Sequence, residues 1–393
     1  MPLTPAIDIC TLWLGPSPNV TLLMVADPGD YSGTGEDKFF SSLLGEKNTV
    51  GLTDSMCAKL SSGTLLGQPV ALAVSGIGDI ASSICATSLL DRCGSRIKEI
   101  LFFGTSGWTP QPGGVLNADD CSTANPNPEI VRIGDLCVTP FSLDADCRKA
   151  SWEQVAAGYP DACTLPQEFV PPDATFLFGQ CLFPATAPES LTLAQELTGI
   201  ARAVAVAGAY PTQSADVAQY QEGFWATMSN GTGVSYDSAG DSQPTIWGME
   251  TCVEADSQFF YSGVPYDMQQ RNTVAQVINE GLGTNVTAKD VIVVSAMEAT
   301  GVAYAVDRYQ KFSGRDLPFV VVRGASNYLH TPVEKLPNGT WVPSAAAAGT
   351  PEILAGYAHA ISVGSRALLE LFSSRCKEAG GSETLCTVPA LQT

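Results

Sequence analysis

The stretch Val70-Ala71-Leu72-Ala73-Val74-Ser75-Gly76-Ile77-Gly78-Asp79-Ile80-Ala81 decides the fold class. Its first residues read as a strand buried on both faces. The segment from Ile80 to Cys93 instead repeats its apolar residues at three and four, the period of a helix. Two glycines between them let the backbone turn sharply with no side chain in the way. The same alternation continues outward in both directions. Strands are expected at Leu22–Ala26, Val70–Ser75, Ile100–Phe103, Leu136–Thr139, Val291–Ser295 and Phe319–Arg323, and helices at Ile80–Cys93, Leu191–Ala207, Met268–Glu280, Glu298–Tyr309 and Glu352–Phe372. Short apolar runs alternating with amphipathic segments predict an α/β protein with a central sheet.

Composition narrows what such a protein can do. At 393 residues with 45% hydrophobic and 15% charged side chains the chain has ample core and is not disordered. Twenty Lys and Arg stand against 40 Asp and Glu, a net charge of −20, the wrong sign for a phosphate backbone or an anionic leaflet. Neither nucleic acid nor a membrane surface is an expected partner. The most apolar long stretch, Leu191 to Tyr210, is broken by Gln195, Glu196 and Arg202 and is not a membrane span. With no linker-like shift in composition, residues 1–393 read as one domain. Insertions interrupt it near 108–130, 145–190 and 210–245, where Pro, Gly, Asn and Asp cluster.

The cysteines point outside the cell. There are 12, an even number without a CxxC pair, beside four Asn-x-Thr sequons at Asn19, Asn230, Asn285 and Asn338. Disulfides in a secreted, extracellular or vacuolar protein fit this pattern better than a zinc site. Buried free thiols in a cytosolic protein are the alternative. Cys376 and Cys386, ten apart across Gly380-Gly381, are plausible partners. The start, Met1-Pro2-Leu3-Thr4-Pro5, has no basic n-region or apolar h-region, so a leader is expected to have been removed.

Only two histidines, His330 and His359, are present, which leaves no HExxH and no His-rich metal cluster. His359 reads as structural, and His330 lies beside a candidate site loop. Gly76-Ile77-Gly78-Asp79-Ile80-Ala81 formally matches a dinucleotide fingerprint. The next strand, however, is followed by Gly104-Thr105-Ser106-Gly107 and not by the acid that would hold a ribose 2′-OH. Two successive strands ending in small-residue turns, Ser75-Gly76-Ile77-Gly78 and Gly104-Thr105-Ser106-Gly107, instead suggest a ligand site where the two turns lie side by side at the carboxyl edge of a sheet. Val291–Ser295 delivers Glu298 to that rim as a helix begins, and Phe319–Arg323 delivers Gly324-Ala325-Ser326-Asn327. Glu298 also has a plainer reading, as a first-turn acid facing the helix dipole.

Taken together and in order, five segments resemble the nucleoside phosphorylase and methylthioadenosine/S-adenosylhomocysteine nucleosidase superfamily. They are Val74-Ser75-Gly76-Ile77-Gly78, Phe103-Gly104-Thr105-Ser106-Gly107, Gly134-Asp135-Leu136-Cys137-Val138, Ser295-Ala296-Met297-Glu298-Ala299 and Val322-Arg323-Gly324-Ala325-Ser326-Asn327. The resemblance spans about Leu22 to Leu371. Gly248-Met249-Glu250, Ala255-Asp256 and Tyr261-Ser262-Gly263 look like the purine nucleoside permease branch and its plant storage relatives. What the resemblance implies is a three-layer α/β/α fold around a twisted central mixed sheet, with loop insertions, and cleavage of the N-glycosidic bond of purine nucleosides. No metal or organic cofactor is implied, and a homo-oligomer is typical of the family.

By the same resemblance Glu298 would accept hydrogen bonds from the ribose hydroxyls, Met297 would pack on the sugar, and Phe260, with Phe259 or Tyr261, would stack on the base. Ser75, Gly76, Thr105, Ser106, Gly107 and Ser326 would line the substrate. Asn327 departs from the adenine-type nucleosidases, which carry an Asp there. An amide cannot supply a proton but can donate to N7 and accept from N1–H, a pattern matching 6-oxopurines. Phe102 stands where many phosphorylases of the family place a phosphate-clamping Arg, which favours hydrolysis, with Asp27 in the place of a water-activating carboxylate. Phosphorolysis through Thr105, Ser106 and Arg323 is one rival reading, and a non-catalytic binding or storage protein is the other.

Overall fold

A computed structural model describes residues 9–14, 19–29, 33–49, 56–109, 130–144, 182–183, 187–228, 243–256, 264–329, 333–335, 341–343 and 350–391. Twelve strands form one mixed sheet: β1 Val20–Val25, β2 Gly45–Thr49, β3 Lys59–Leu65, β4 Gln68–Val74, β5 Ile97–Trp108, β6 Leu136–Thr139, β7 Ser142–Asp144, β8 Leu182–Phe183, β9 Ile246–Gly248, β10 Cys252–Asp256, β11 Ile292–Ala296 and β12 Phe319–Tyr328.

Period-two alternation within the apolar strands assigns each face of the sheet to its own set of helices. Leu23 and Val25, Leu72 and Val74, Leu101 and Phe103, and Val320 and Val322 pack with helices Pro188–Val206, Val264–Leu282 and Thr350–Glu378. Their neighbours Leu22 and Met24, Ala71 and Ala73, Ile100 and Phe102, and Val321 face helices Ile9–Leu14, Asp79–Cys93 and Ala299–Ser313. Both faces are covered, which is why these strands read as unbroken apolar runs. The layers are α/β/α, as expected.

Strand order runs β2-β3-β4-β1-β5, with β4, β1 and β5 parallel, so their carboxyl ends share one edge. At β5 the sheet forks. β12 pairs with β5 in parallel along most of its length, while β11 pairs antiparallel with its last residues, Val294 against Trp108 and Ser295 against Gly107. One limb continues through β12 to β6, the other through β11 to β10. The limbs meet again where Cys137 of β6 is bonded to Cys252 of β10, closing a ring of five strands at the end of the sheet. A third cluster, including Trp108, Cys137, Cys252, Val294 and Tyr328, packs around this ring with Phe224 and Trp225 of helix Ala215–Met228.

Two readings of the sequence need correction. Gly104-Thr105-Ser106-Gly107 is not a turn: β5 runs through it to Trp108, and β12 likewise runs through Gly324-Ala325-Ser326-Asn327. The ends of β4 and β5 are also not side by side, because β1 lies between them. Of the three expected insertions, residues 110–129, 145–181, 184–186 and 229–242 lie outside the described residues, and the third contains helix Ala215–Met228.

Three further disulfides join Cys10 to Cys93, Cys57 to Cys85 and Cys376 to Cys386, the last as read from the sequence. Cys121, Cys147, Cys163 and Cys181 lie outside the described residues. Four such pairs are compatible with an extracellular protein. No helix among the described residues is long and apolar enough to cross a membrane. Asn19 and Asn285 are exposed, whereas Asn230 and Asn338 lie outside the described residues.

The Cys137–Cys252 bond spans 115 residues of chain. Replacing both cysteines by alanine is expected to lower the unfolding free energy by about 2–4 kcal/mol, because the unfolded chain regains the closed loop's entropy. Denaturant unfolding of the double variant against the parent checks this.

Candidate active site

The centre of the candidate site is Arg323 of β12, which has no solvent exposure. Its Nε and Nη2 donate to Glu254 Oε1 at 3.2 and 2.8 Å, and Nη2 donates to Glu298 Oε2 at 3.0 Å. Nη1 donates to the Thr105 carbonyl at 3.3 Å, and the guanidinium lies over the Phe102 ring with 4.9 Å to its centroid. Arg323 sits opposite Gly104 in the β5–β12 register. A Cβ on Gly104 would overlap the guanidinium and come within 2.8 Å of Glu36 Oε1, so glycine is required there by close approach and not by a turn.

Glu298 is 6% exposed and immediately precedes helix Ala299–Ser313. Besides Arg323, its carboxylate accepts the Gly78 N–H at 3.4 Å and the Met297 N–H at 3.3 Å. Gly76 and Gly78, with φ of +91° and +98°, shape the turn that brings that first amide to it. Burial pushes the Glu298 carboxyl up to about 7, against the pull of Arg323 and with the help of Asp256 and Glu36. Burial also works against the Arg323 charge, but Glu254, Glu298, Asp256 and Glu36 outweigh it and hold the guanidinium protonated.

Glu36 is a residue of the candidate site that sequence reasoning missed. It comes ten residues after Ala26, just beyond β1, and its carboxylate returns to the backbone there. Oε2 accepts the N–H groups of Ala26 and Asp27 at 2.9 and 3.0 Å, and Oε1 accepts the Thr105 N–H at 2.7 Å. Burial raises its carboxyl above the usual range, opposed by Arg323 and the backbone donors. Asp27 uses Oδ1 to close its own turn on the Gly29 N–H at 2.8 Å, and its backbone amide belongs to the Glu36 cradle.

A second group lies further along β5 and β12. Ser326 Oγ is hydrogen-bonded to the Ser106 carbonyl at 3.0 Å and to Asn327 Oδ1 at 2.8 Å, and Asn327 Nδ2 donates to the Tyr328 carbonyl at 3.4 Å. A Cβ on Gly107 would lie 3.1 Å from Asn327 Nδ2, so this glycine makes room for the amide. Ser106 Oγ accepts Trp108 Nε1–H at 2.8 Å. Ser75 is buried at the end of β4, donating to the Gly76 carbonyl at 2.8 Å. Met297 is half-buried beside Glu298. Phe260, with Phe259 and Tyr261, and His330 lie outside the described residues.

The remaining motif residues serve the scaffold. Asp135 is buried and accepts the N–H groups of Arg132 and Thr245 and the Trp247 indole at 3.0, 2.7 and 3.2 Å, which ties β6 to β9. Burial nonetheless lifts its carboxyl to about 6. His359 packs against Gly134, and burial drives its imidazole down to about 4, so it is neutral at physiological pH. Glu250 forms a surface pair with Arg202. Among the described residues no group of three or more His, Cys, Asp or Glu is arranged to hold a metal ion.

No family model and no curated protein matches the chain. Among solved structures it is similar to a 5′-methylthioadenosine/S-adenosylhomocysteine nucleosidase of S. pneumoniae bound to the transition-state inhibitor MT-ImmA. Identity is 14% and the TM-score 0.41, over 90% of this chain and 97% of that one. The corresponding nucleosidase of Colwellia psychrerythraea, in complex with adenine, matches at 14% identity and a TM-score of 0.40 over 90% and 94%. A mutant MTAN of Helicobacter pylori holding 5′-methylthioadenosine matches at 14% and 0.43 over 90% and 98%.

Buried and half-buried carboxyls set the pH dependence of stability. Asp135, Glu298 and Asp79 titrate in the folded chain at about 6, 7 and 9, above ordinary values of 3.8, 4.5 and 3.8. Groups raised in this way stabilise fully below their unfolded values and lose that contribution as pH rises through the folded ones. Glu99, held low by Arg375 against its own burial, acts in the opposite sense only below about pH 4.5, and His359, driven down by burial, does so between about pH 4 and 6.5, where the three carboxyls outnumber it. The unfolding midpoint is therefore expected to fall between pH 5.5 and 8.5. Scanning calorimetry across that range checks it, and a flat or rising midpoint contradicts it.

Proposed function

We propose that the chain cleaves the N-glycosidic bond of purine nucleosides, 6-oxopurine nucleosides foremost, by transfer to water. The observation that carries this reading is the placement of Glu298, buried at the sheet edge between Arg323 and the Gly78 amide, inside an excess of carboxylates. Breaking the C1′–N bond leaves positive charge on the ribosyl group, and a preorganised negative environment stabilises that charge without reorganising. Ribose hydroxyls donating to Glu298 favour its ionised form and hold the sugar for attack.

The same charge balance supports water over phosphate. Arg323 already directs four hydrogen bonds to Glu254, Glu298 and Thr105, leaving one of its five N–H donors. The Thr105 amide is taken by Glu36, and Ser106 Oγ by Trp108. Like charges about 4 Å apart repel by about 4 kcal/mol at an effective dielectric of about 20. One added hydrogen bond returns about 1 kcal/mol. A phosphate dianion among Glu36, Glu254 and Glu298 is therefore disfavoured, whereas neutral water is not. On this reading Glu36 accepts the water's proton, with Asp27 shaping the loop beside it. Asn327, its amide oriented by Ser326, faces the base and donates to N7 without protonating it.

Incubation with inosine in buffer, with and without phosphate, tests the reaction. Hypoxanthine and ribose released without phosphate are expected, together with a loss of about a hundredfold or more in Glu298→Gln. Base released only with phosphate would make the chain a phosphorylase. No base under either condition would remove the catalytic reading in favour of binding or storage.

Asn327→Asp restores a titratable proton at the base. It is expected to move the ratio of kcat/KM for adenosine over inosine towards adenosine by about 1–3 kcal/mol. An unchanged ratio would mean that residue 327 does not face the base.

A further inference from the structure

Helices Asp79–Cys93 and Ala299–Ser313 both begin at the site, and three ties bind their first turns together. Asp79 Oδ1 accepts the Gly301 N–H at 3.2 Å, Asp256 Oδ2 at the end of β10 accepts the Thr300 N–H at 2.5 Å, and Ser82 Oγ donates to the Glu298 carbonyl at 2.6 Å. The helices approach so closely that a Cβ on Gly301 would lie 3.0 Å from the Ser83 amide nitrogen.

Asp79 and Asp256 are also hydrogen-bonded to each other, side chain to side chain. Two ionised carboxylates only accept, so this bond needs a proton on one of them. The surroundings of Asp256 lead to the same requirement. Its Oδ1 is buried and no ordinary N–H or O–H donor among the described residues reaches it; of the two carboxyls hydrogen-bonded to Asp256, Glu254 is already engaged by the Arg323 guanidinium, which leaves Asp79 to carry the proton. Among the described residues Asp79 faces Asp256 and, at the end of β7, Asp144; the network beyond Asp256 contains Glu254, Glu298, Glu36 and the cation Arg323. Burial first, and the Asp256 charge second, push the Asp79 carboxyl up to about 9.

We propose that Asp79 and Asp256 hold one proton between them, and that this protonated pair clasps the start of the Glu298 helix against the Gly76–Gly78 turn. Asp79 is a positioning residue: it bears on Glu298 through Gly301 on one side and the Gly78 amide on the other. When the proton leaves, two carboxylates face each other with Asp144 close by, and the clasp loosens. The stabilisation is complete below about pH 4, where the unfolded chain is protonated as well, and is lost as pH rises to about 9.

Asp79→Asn separates this from a purely packing role. Its amide keeps an oxygen for the Gly301 N–H and carries a permanent donor for Asp256, while Asp79→Ala has neither. Guanidinium unfolding between pH 5.5 and 8.5 should show the parent losing about a factor of ten per pH unit more in its folding equilibrium constant than Asp79→Asn. At pH 5.5 Asp79→Ala should be the least stable of the three. Parallel pH dependences for parent and Asp79→Asn would overturn the proposal. So would an Asn variant that fails to fold or is no more stable than the Ala variant at pH 5.5. None of these outcomes depends on which substrate the site takes.

Discussion

A guanidinium cut off from water keeps its charge only where carboxylates surround it, and Arg323 is the cation on which the described acidic network of this protein converges. Burying it costs several kcal/mol, which only well-formed charged hydrogen bonds can offset. Glu254 supplies two of them and Glu298 a third. Much of the local architecture follows from that need. Gly104 has no side chain because the guanidinium occupies its place, and Phe102 offers its ring as a floor. Ser142 supports Glu254 at 3.1 Å and is linked to Thr300, whose amide Asp256 caps. Strands from both limbs of the forked sheet therefore meet around one positive charge.

That arrangement leaves Glu298 with a divided character. Arg323 and two backbone amides favour its ionised form, while burial and neighbouring acids favour the neutral one, and the balance falls near neutrality. A carboxylate poised in this way can respond to a ligand that brings new donors, which a fully compensated ion pair cannot do. Surplus negative charge that weakens the folded state at high pH is the same charge that would favour a cationic sugar. On the proposed function, stability and chemistry pull against each other at this site.

Much of the layer architecture was legible because buried strands and amphipathic helices leave different periods in the chain, and β1, β4 and β12 begin within two residues of the expected starts. Gly104–Gly107 misled for a physical reason. Absence of a side chain is a turn signal only when nothing else fills the space, and here the side chains of Arg323 and Asn327 do. Glu298 could be found because it ends a strand and opens a helix. Glu36 could not, since a loop has no period and its contact with Thr105 spans 69 residues. Pairing of Cys376 with Cys386 was local enough to read, while Cys137 and Cys252 are joined only by the closure of the ring.

That ring closure bears directly on the central ion pair. In the β6–β12 register Cys137 lies opposite Arg323, and Cys252 precedes Glu254 by two residues along β10, on the same face. Covalent bond and salt bridge thus span one seam, side by side. A disulfide changes length very little, whereas a salt bridge tolerates wide variation, so the sulfur pair acts as a fixed gauge for the gap that the guanidinium must fill. The electrostatic centre is held to tolerance by a bond that carries no charge at all.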